Sequence, residues 1–228
     1  MTLKISVIIP AIDEALVIGA AIESAVCAGA DEIILADGGS HDDTAHIGEN
    51  HGVRLLTAAP GRASQQNAGA HLAMGDVLLF LHADCCLPVT GLAKIRQQLT
   101  AENSFVGGYF RQTIDDPGWV YRWIESGNLW RARTLKWAYG DQGIFVRTSI
   151  FEGVGGFPDM PLMEDLYIMK RIKRHGRLVC IDAPLLVSAR RWKKRGTIRQ
   201  TLRNWMMLVA VHLGVSPAVL ARFYPRTT

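Results

Sequence analysis

Lys4-Ile5-Ser6-Val7-Ile8-Ile9-Pro10 is typical of a buried β-strand, and an amphipathic segment with Ile18, Ile22 and Val26 at helical spacing follows it. The alternation continues as far as residue 81. Further strands are predicted at 32–36, 53–57 and 77–81, and helices at 14–28, 42–51 and 63–74. Strands and helices that alternate in this way form parallel sheets with crossover helices, so the chain is predicted to have an α/β fold.

Polar residues stand directly after each predicted strand. In open sheets of this kind, ligands bind beyond the carboxyl ends of the strands. The four loops are Pro10 to Glu14, Asp37-Gly38-Gly39-Ser40, Gly61-Arg62 and His82-Ala83-Asp84. Neither glycine-rich phosphate loop, the dinucleotide fingerprint or the P-loop, occurs in the sequence. Any bound phosphate is therefore expected to be neutralised by a metal or by side chains.

Single motifs in these loops allow two interpretations. Asp37 fits a carboxylate that binds ribose or base, or a simple turn before a helix. Asp84 with His82 fits a divalent-ion site, or an exposed helix cap. Glu164-Asp165, at the predicted start of a helix, fits a general base, or acidic residues that complement the helix dipole.

The net charge of +4 is divided unevenly along the chain. Residues 1–169 contain 11 Lys and Arg against 20 Asp and Glu, whereas residues 170–228 contain 14 against one. The densest basic cluster includes Arg190, Arg191 and Arg203. We expect it to face the phosphates of a ligand or an anionic lipid surface, with a simple solvated face as the alternative. Nucleic acid is not expected, because no recognition motif accompanies the charge.

Composition excludes several other classes of protein. With 228 residues and 49% hydrophobic residues, the chain suits one packed domain. The four cysteines lack CxxC spacing, which argues against zinc and disulfide frameworks and favours a reducing cytosol. No apolar run reaches the roughly 18 residues that span a bilayer, and no secretory signal is recognised. We expect a cytoplasmic protein that can lie peripherally at the inner face of the membrane.

Four tryptophans form a separate pattern. Trp119, Trp123, Trp130 and Trp137 would lie within roughly 40° of one another on a continuous helix, at about 100° per residue. Such a stripe fits a core or partner-helix contact. Stacking on a sugar acceptor or insertion at a membrane interface are the alternatives.

Together the motifs resemble the inverting family 2 glycosyltransferases of the GT-A fold, from Ile5 to about Tyr224. Residues 6–14 look like the family's nucleotide-clamping opening, with Asp13-Glu14 where the family usually has Asn-Glu, and residues 37–40 resemble its base- and ribose-binding turn. His82-Ala83-Asp84 stands in the place of the D-x-D metal motif, with its first aspartate replaced.

Other parts of the chain extend the resemblance. Glu164-Asp165 matches the family's E-D pair, and residues 200–205 are similar to its Q-x-x-R-W element with one residue inserted. Residues 61–70, Leu81-His82-Ala83-Asp84 and Gly140-Asp141-Gln142-Gly143 resemble a compact bacterial subgroup, the radical-SAM/selenodomain-associated transferase 2 glycosyltransferases.

The resemblance implies one GT-A domain over residues 1–228. Residues 1–88 would be a Rossmann-like nucleotide-binding half, residues 89–188 an acceptor and catalytic half, and residues 189–228 a basic helical segment. The central sheet would be mostly parallel and flanked by helices.

It also implies sugar transfer, with inversion, from a UDP- or GDP-type donor to an unidentified acceptor, for which a lipid-linked molecule is one candidate. Asp165 would be the catalytic base. The donor would be bound by Pro10, Glu14, Asp37, Arg62, Asn67 and Asp84, and a Mn²⁺ or Mg²⁺ ion by Asp84 and His82. The acceptor side would include Asp141, Gln142, Glu164 and Trp137, and the phosphates or lipid would face Arg190, Arg191 and Arg203.

Two other functions stay open from the sequence. A sugar-phosphate nucleotidyltransferase shares the sheet and the metal, but the glycine-rich basic loop with which it normally opens is missing between Pro10 and Glu14. A catalytically silent nucleotide- or membrane-binding module is the second, because His82 replaces an acidic ligand and the C-terminal segment is basic.

Overall fold

The computed structural model describes residues 2–135 and 138–222. Eight strands form one sheet. They are β1 (Ile5–Ala11), β2 (Glu32–Asp37), β3 (Arg54–Thr57), β4 (Val77–Phe80), β5 (Cys85–Cys86), β6 (Phe105–Ile114), β7 (Ile144–Arg147) and β8 (Arg177–Val187). The spatial order is β3-β2-β1-β4-β7-β6-β8-β5.

Helices connect and cover these strands. They are α1 (Ile18–Cys27), α2 (Thr44–Asn50), α3 (Arg62–Leu72), α4 (Gly91–Ala101), α5 (Trp119–Leu135), α6 (Thr148–Gly153), α7 (Glu164–Ile172), α8 (Arg190–Arg195), α9 (Thr197–His212) and α10 (Pro217–Arg222). A 3₁₀ turn at Gly140–Gln142 precedes β7. None of the helices in the described part of the chain is both long enough and apolar enough to cross a bilayer.

The predicted parallel sheet is confirmed for the first half of the chain and corrected for the second. Strands β3, β2, β1 and β4 are all parallel neighbours. Strand β7 is antiparallel to both β4 and β6, whereas β6 and β8 are parallel and β5 is antiparallel to β8. The sheet is therefore mixed. The change of direction comes from β7, which enters between β4 and β6 and runs antiparallel to both.

Buried strands explain why the polar loops gather at one edge. All seven residues of β1 are buried, and alternate residues enter the cores on the two faces of the sheet. Helices α1 and α4 cover one face, whereas α3, α6 and α7 cover the other. A strand that is covered on both faces has polar residues only at its ends, and the carboxyl ends of parallel strands coincide.

The basic C-terminal segment contains α8, α9 and α10, and it packs back on the domain. Trp192 of α8 is buried and makes an edge-to-face contact with Tyr121 of α5, with ring centroids 6.3 Å apart. Met207 and Val211 of α9 share a small hydrophobic cluster with Leu166 of α7. This packing brings the arginines of α8 towards the loops of the nucleotide-binding half.

Candidate active site

The loops after β1 and β2 hold each other in place. Asp13 has a left-handed backbone, with φ of 51°, and its N–H donates to Ser40 Oγ at 3.0 Å. The Asp13 carboxylate accepts from the His41 N–H at 2.7 Å. The Glu14 N–H donates to Thr44 Oγ1 at 2.8 Å. The two loops that the sequence predicts to bind nucleotide therefore form one cross-linked wall.

Asp37 is buried and occupied within its own turn. Its carboxylate accepts from the N–H groups of Gly39 and Ser40 at 3.0 Å each, and from the Ser40 hydroxyl. Beside it, Gln65 Nε2 donates to Ala11 O at 2.7 Å and to Ala36 O at 2.8 Å. Gln65 was not singled out in the sequence. Its buried side-chain amide links the carboxyl ends of β1 and β2. Pro10 is the residue of β1 that precedes Ala11.

Three arginines pair with acidic residues of the predicted site. Arg190 of α8 forms an ion pair with Glu14, and Arg191 Nη2 lies 3.1 Å from Asp84 Oδ2. Arg62, at the start of α3, lies with Nη1 3.6 Å from Glu164 Oε1. These three pairs place cations of α8 and α3 beside acidic residues of the site.

Burial and these charges shift the pKa values of Asp84, Glu14 and the neighbouring His82. Burial alone would raise the pKa of Asp84, but Arg191 and the other cations nearby lower it overall. Burial, reinforced by Arg62, lowers the pKa of His82 to about 3. Burial raises the pKa of Glu14 despite its pairing with Arg190. At neutral pH, Asp84 is therefore a carboxylate and His82 a neutral imidazole.

Asp165 lies in the first turn of α7, directly after a strained residue. Met163, the residue that precedes the helix, has a left-handed backbone with φ of 67°, which is unusual for a side chain of this kind. Asp165 is buried and accepts from the Gly140 N–H at 2.8 Å and the Leu166 N–H at 2.7 Å. Burial, followed by the neighbouring Glu164, raises the pKa of Asp165 to about 6. A carboxylate with this pKa is suited to accept a proton near neutral pH.

Gly140 joins two of the predicted motifs. A Cβ atom on Gly140 would lie 2.2 Å from His82 Nε2, closer than any non-bonded contact permits. Its backbone N–H meanwhile binds Asp165. Only glycine allows His82 and Asp165 to approach the same turn from two sides.

The 3₁₀ turn carries polar atoms without partners. Asp141 Oδ2 accepts from Gln112 Nε2 at 3.0 Å. Within the described residues, Asp141 Oδ1, Gln142 Nε2 and the Tyr139 hydroxyl have no hydrogen-bond partner. Burial raises the pKa of Asp141, although nearby arginines oppose this. Buried polar groups are normally hydrogen-bonded, so these atoms indicate a polar ligand.

Five of the predicted site residues line one cavity of about 130 Å³. They are Arg62, His82, Asp141, Asp165 and Arg191. One water molecule needs about 10–15 Å³ of cavity volume, so the cavity holds roughly ten waters, or a sugar-sized group. Apolar side chains complete the wall, namely Ile124, Leu162, Trp205, Met207 and Leu208.

Other predicted residues lie elsewhere. Asn67 does not line the cavity, and its amide both donates to and accepts from the backbone of Phe157, at 2.9 Å each. Arg203 lies on α9 but is not part of the cavity wall. Gln142 and Glu164 are buried but do not line the cavity. Trp137 lies outside the described residues.

Comparison with known proteins identifies the family. Residues 6–153, more than half of the chain, match the family described as Glycosyl transferase family 2. The chain belongs to this family. It is a glycosyltransferase, and its α/β fold with a mixed sheet is the GT-A fold. A comparison with curated protein sequences found no match.

Solved structures resemble this glycosyltransferase in fold. Glucosyl-3-phosphoglycerate synthase from Mycobacterium tuberculosis, in complex with Mn²⁺, UDP and glucosyl-3-phosphoglycerate, has a TM-score of 0.60 and 19% identity over 80% of this chain and 70% of its own. TarS 1-349 from S. aureus, in complex with UDP, has a TM-score of 0.67 and 16% identity over 82% of this chain. The glycosyltransferase spans 60% of that TarS chain.

Asp84 and His82, which follow β4, fit a divalent ion that is bound jointly by the protein and by substrate phosphates. Within residues 2–135 and 138–222, no three His, Cys, Asp or Glu side chains form a ready-made metal site. Asp84 supplies a buried carboxylate and His82 an uncharged imidazole. Mg²⁺ is commonly held by one or two carboxylates together with substrate phosphates, so a larger protein cluster is not required. Arg191 already contacts Asp84 and would compete with the ion.

Sequence reasoning missed a buried cation in the cavity wall. Arg131 of α5 is buried, with its guanidinium 3.9 Å from the centre of the Tyr139 ring and Nη1 3.0 Å from Asn128 Oδ1. It lines the same cavity as Arg191 of α8. The available signal was its spacing: Arg131 stands seven residues after Ile124, about two helical turns, and therefore on the same face of α5.

Proposed function

We propose that this glycosyltransferase moves a sugar, with inversion, from a nucleotide-diphospho-sugar of the UDP or GDP type to a hydroxyl group of its acceptor. The observation that carries the proposal is the meeting of Asp165 with Arg62, His82 and Arg191 in one cavity. A buried base and a cluster of cations are the two requirements for displacing a nucleoside diphosphate.

The nucleoside is assigned to the cross-linked loops. Glu14 and Asp37, with Pro10 at the end of β1, would contact the base and ribose, for which Asp37 would have to loosen its own turn. Arg62, Arg190 and Arg191 would bind the diphosphate, because guanidinium groups match phosphate oxygens in geometry and charge. Asn67 is left out of this assignment, since the backbone of Phe157 occupies its amide.

The metal assignment follows the donor atoms. Asp84 and His82 would hold Mn²⁺ or Mg²⁺, and when bound this ion would stabilise the charge on the departing diphosphate. The presence of Mn²⁺ with UDP in the mycobacterial synthase supports this proposal.

The base assignment defines the reaction. Asp165 would remove the proton from the acceptor hydroxyl as the oxygen attacks the anomeric carbon, while the bond to the diphosphate breaks on the opposite face. The acceptor would be oriented, or the pKa of Asp165 adjusted, by Asp141, Gln142 and Glu164. Asp141 Oδ1, which has no hydrogen-bond partner among the described residues, would be available to the acceptor.

The narrower family assignment is part of the proposal. The three stretches that resemble the radical-SAM/selenodomain-associated transferase 2 subgroup supply Arg62, His82 and Asp141 to the same cavity. We assign the chain to that subgroup, as one domain with its basic helical segment at residues 189–228, and place it in the cytoplasm.

The test is a screen of UDP-, GDP-, dTDP- and CDP-sugars for thermal stabilisation and hydrolysis, with Mn²⁺ and with chelator. We expect one donor to stabilise the protein and to be hydrolysed faster with Mn²⁺. Asp84→Asn should lose the Mn²⁺ effect, whereas Asp159→Asn, an exposed control, should not. Binding without any turnover would instead support the silent nucleotide-binding module. Formation of a nucleotide-sugar from sugar phosphate would support the nucleotidyltransferase.

A further inference from the structure

The outer face of α5 carries three exposed tryptophans. Trp119, Trp123 and Trp130 are 73%, 74% and 62% exposed. They lie within about 40° of one another around the helix, at about 100° per residue. The opposite face of α5 lines the cavity through Ile124 and Asn128. These three tryptophans therefore do not line the cavity, and the acceptor-side role predicted for Trp137 concerns a residue outside the described part of the chain.

Helix α9 has a second exposed apolar stripe. Its inner face is buried at Met207, Leu208 and Val211. Its outer face is also apolar, with exposures of 47–70%, at Ile198, Leu202, Trp205, Met206 and Val209. These outer residues lie within about 100° of one another around the helix. A helix that only covers a core carries polar residues on its outer face, so this stripe needs another explanation.

The two helices lie side by side at the cavity. The Tyr121 hydroxyl of α5 is 3.2 Å from Thr197 Oγ1 of α9. A methyl group on Gly127 of α5 would lie 3.9 Å from the Trp205 ring. Both helices also contribute to the cavity wall. The exposed stripes therefore flank one cavity, and we call them together the α5–α9 surface.

The charge around the α5–α9 surface selects its occupant. No Asp or Glu follows Asp182, whereas nine Lys and Arg lie in residues 189–228. Lys193 is paired with Asp116, but Arg199 is exposed on α9 beside the apolar stripe. A second copy of this chain would bring two positive segments together, which is unfavourable. Nucleic acid would leave the aliphatic stripe unused, because protein–nucleic acid interfaces are polar. Anionic lipid complements both the charge and the tryptophans.

We infer that the α5–α9 surface binds an anionic lipid bilayer and that the acceptor is a membrane-resident amphiphile. The second half of this inference rests on the proposed function. The cavity has the matching character, because charged groups such as Asp165 share its wall with Leu162, Met207 and Leu208. A polar head would meet the base while an apolar chain lay towards α9 and the bilayer.

The test is sedimentation of the full chain with vesicles of phosphatidylcholine alone and of phosphatidylcholine mixed with phosphatidylglycerol. We expect binding to the anionic vesicles that weakens as salt is raised. Trp123→Ser with Trp130→Ser should weaken it by about a hundredfold, as expected for losing the burial of two large apolar side chains. Arg199→Ala should weaken it by about fivefold, the loss of one interfacial charge. Val89→Ser, which removes an exposed apolar residue outside α5 and α9, is the matched control and should bind normally.

Donor hydrolysis separates this inference from the proposed function. The tryptophan variants should hydrolyse the donor like the natural protein, whereas Asp165→Asn should bind vesicles normally. Equal vesicle binding by the natural protein and the tryptophan variants, or no binding to either vesicle, would overturn the docking surface and leave glycosyl transfer untouched. A dimer in solution that the tryptophan substitutions dissociate would overturn it in favour of a second copy.

Discussion

Replacing Asp165 with Asn should remove activity and at the same time stabilise the fold. Folding raises the pKa of Asp165 from 3.8 to about 6. The ionised carboxylate of Asp165 therefore lowers the free energy of unfolding at neutral pH. The difference of roughly two pKa units corresponds to about 3 kcal/mol in the free energy of unfolding at neutral pH. Asn has the same shape but no charge, so it avoids this penalty.

Part of that gain is lost in hydrogen bonding. The Asp165 carboxylate accepts from two backbone N–H groups, those of Gly140 and Leu166, and the amide of Asn offers a single oxygen. One N–H group without an acceptor costs about 1 kcal/mol. The net gain is about 2 kcal/mol, which raises the melting temperature by about 4–8 °C in a protein of this size.

The sign of the effect depends on pH. Because the folded pKa lies above the unfolded one, the penalty is absent below pH 3.8, grows between pH 3.8 and about 6, and is complete above that. The stabilisation should therefore be seen at about pH 7.5 and should nearly vanish at about pH 4.5, where the penalty is only about 1 kcal/mol. In the natural protein, kcat/KM should fall about tenfold per pH unit below about pH 6, as the base is protonated.

Thermal unfolding of the natural protein, Asp165→Asn and the exposed control Asp159→Asn at both pH values would measure this. Transfer to the acceptor, or donor hydrolysis until the acceptor is known, is assayed on the same samples. An Asp165→Asn variant that melts no higher at pH 7.5 would refute the argument from buried charge. A variant that is stabilised but fully active would remove Asp165 from the role of base.

Three further substitutions test the packing of the site. Gly140→Ala should displace His82, lower kcat by tenfold or more and destabilise the fold by about 1–3 kcal/mol, measured by kinetics and urea unfolding; an active, stable variant contradicts the close contact. Arg191→Ala should cost about 2 kcal/mol of stability at pH 7, because Asp84 loses its partner, less than for a fully buried pair since Arg191 is partly exposed; unchanged urea midpoints would contradict it. Asn67→Ala should lose about 2 kcal/mol through two missing hydrogen bonds while the donor dissociation constant stays unchanged; weaker donor binding would restore Asn67 to the nucleotide site.

Several features of the site were open to prediction because they are local. Asp37 ends β2, Arg62 begins α3 and Asp84 lies in the short loop after β4, and strand ends in a parallel sheet share an edge. The first-half strands and helices were predicted to within a few residues from hydrophobic periodicity alone. The separate contributions of Gln65 and Arg131 could not be predicted, because each acts through partners that are remote in the chain or in a different element.

By itself, the sequence determined the α/β class, the parallel first half of the sheet and the acidic edge where the loops meet, since periodicity and strand ends are properties of neighbouring residues. Only the tertiary structure decided that β7 enters antiparallel and that the sheet is mixed. It also decided that α8 returns across 176 and 107 residues to place Arg190 on Glu14 and Arg191 on Asp84. Such pairings depend on how distant elements pack, and a basic cluster has the same local pattern whether it faces solvent, lipid or a buried carboxylate.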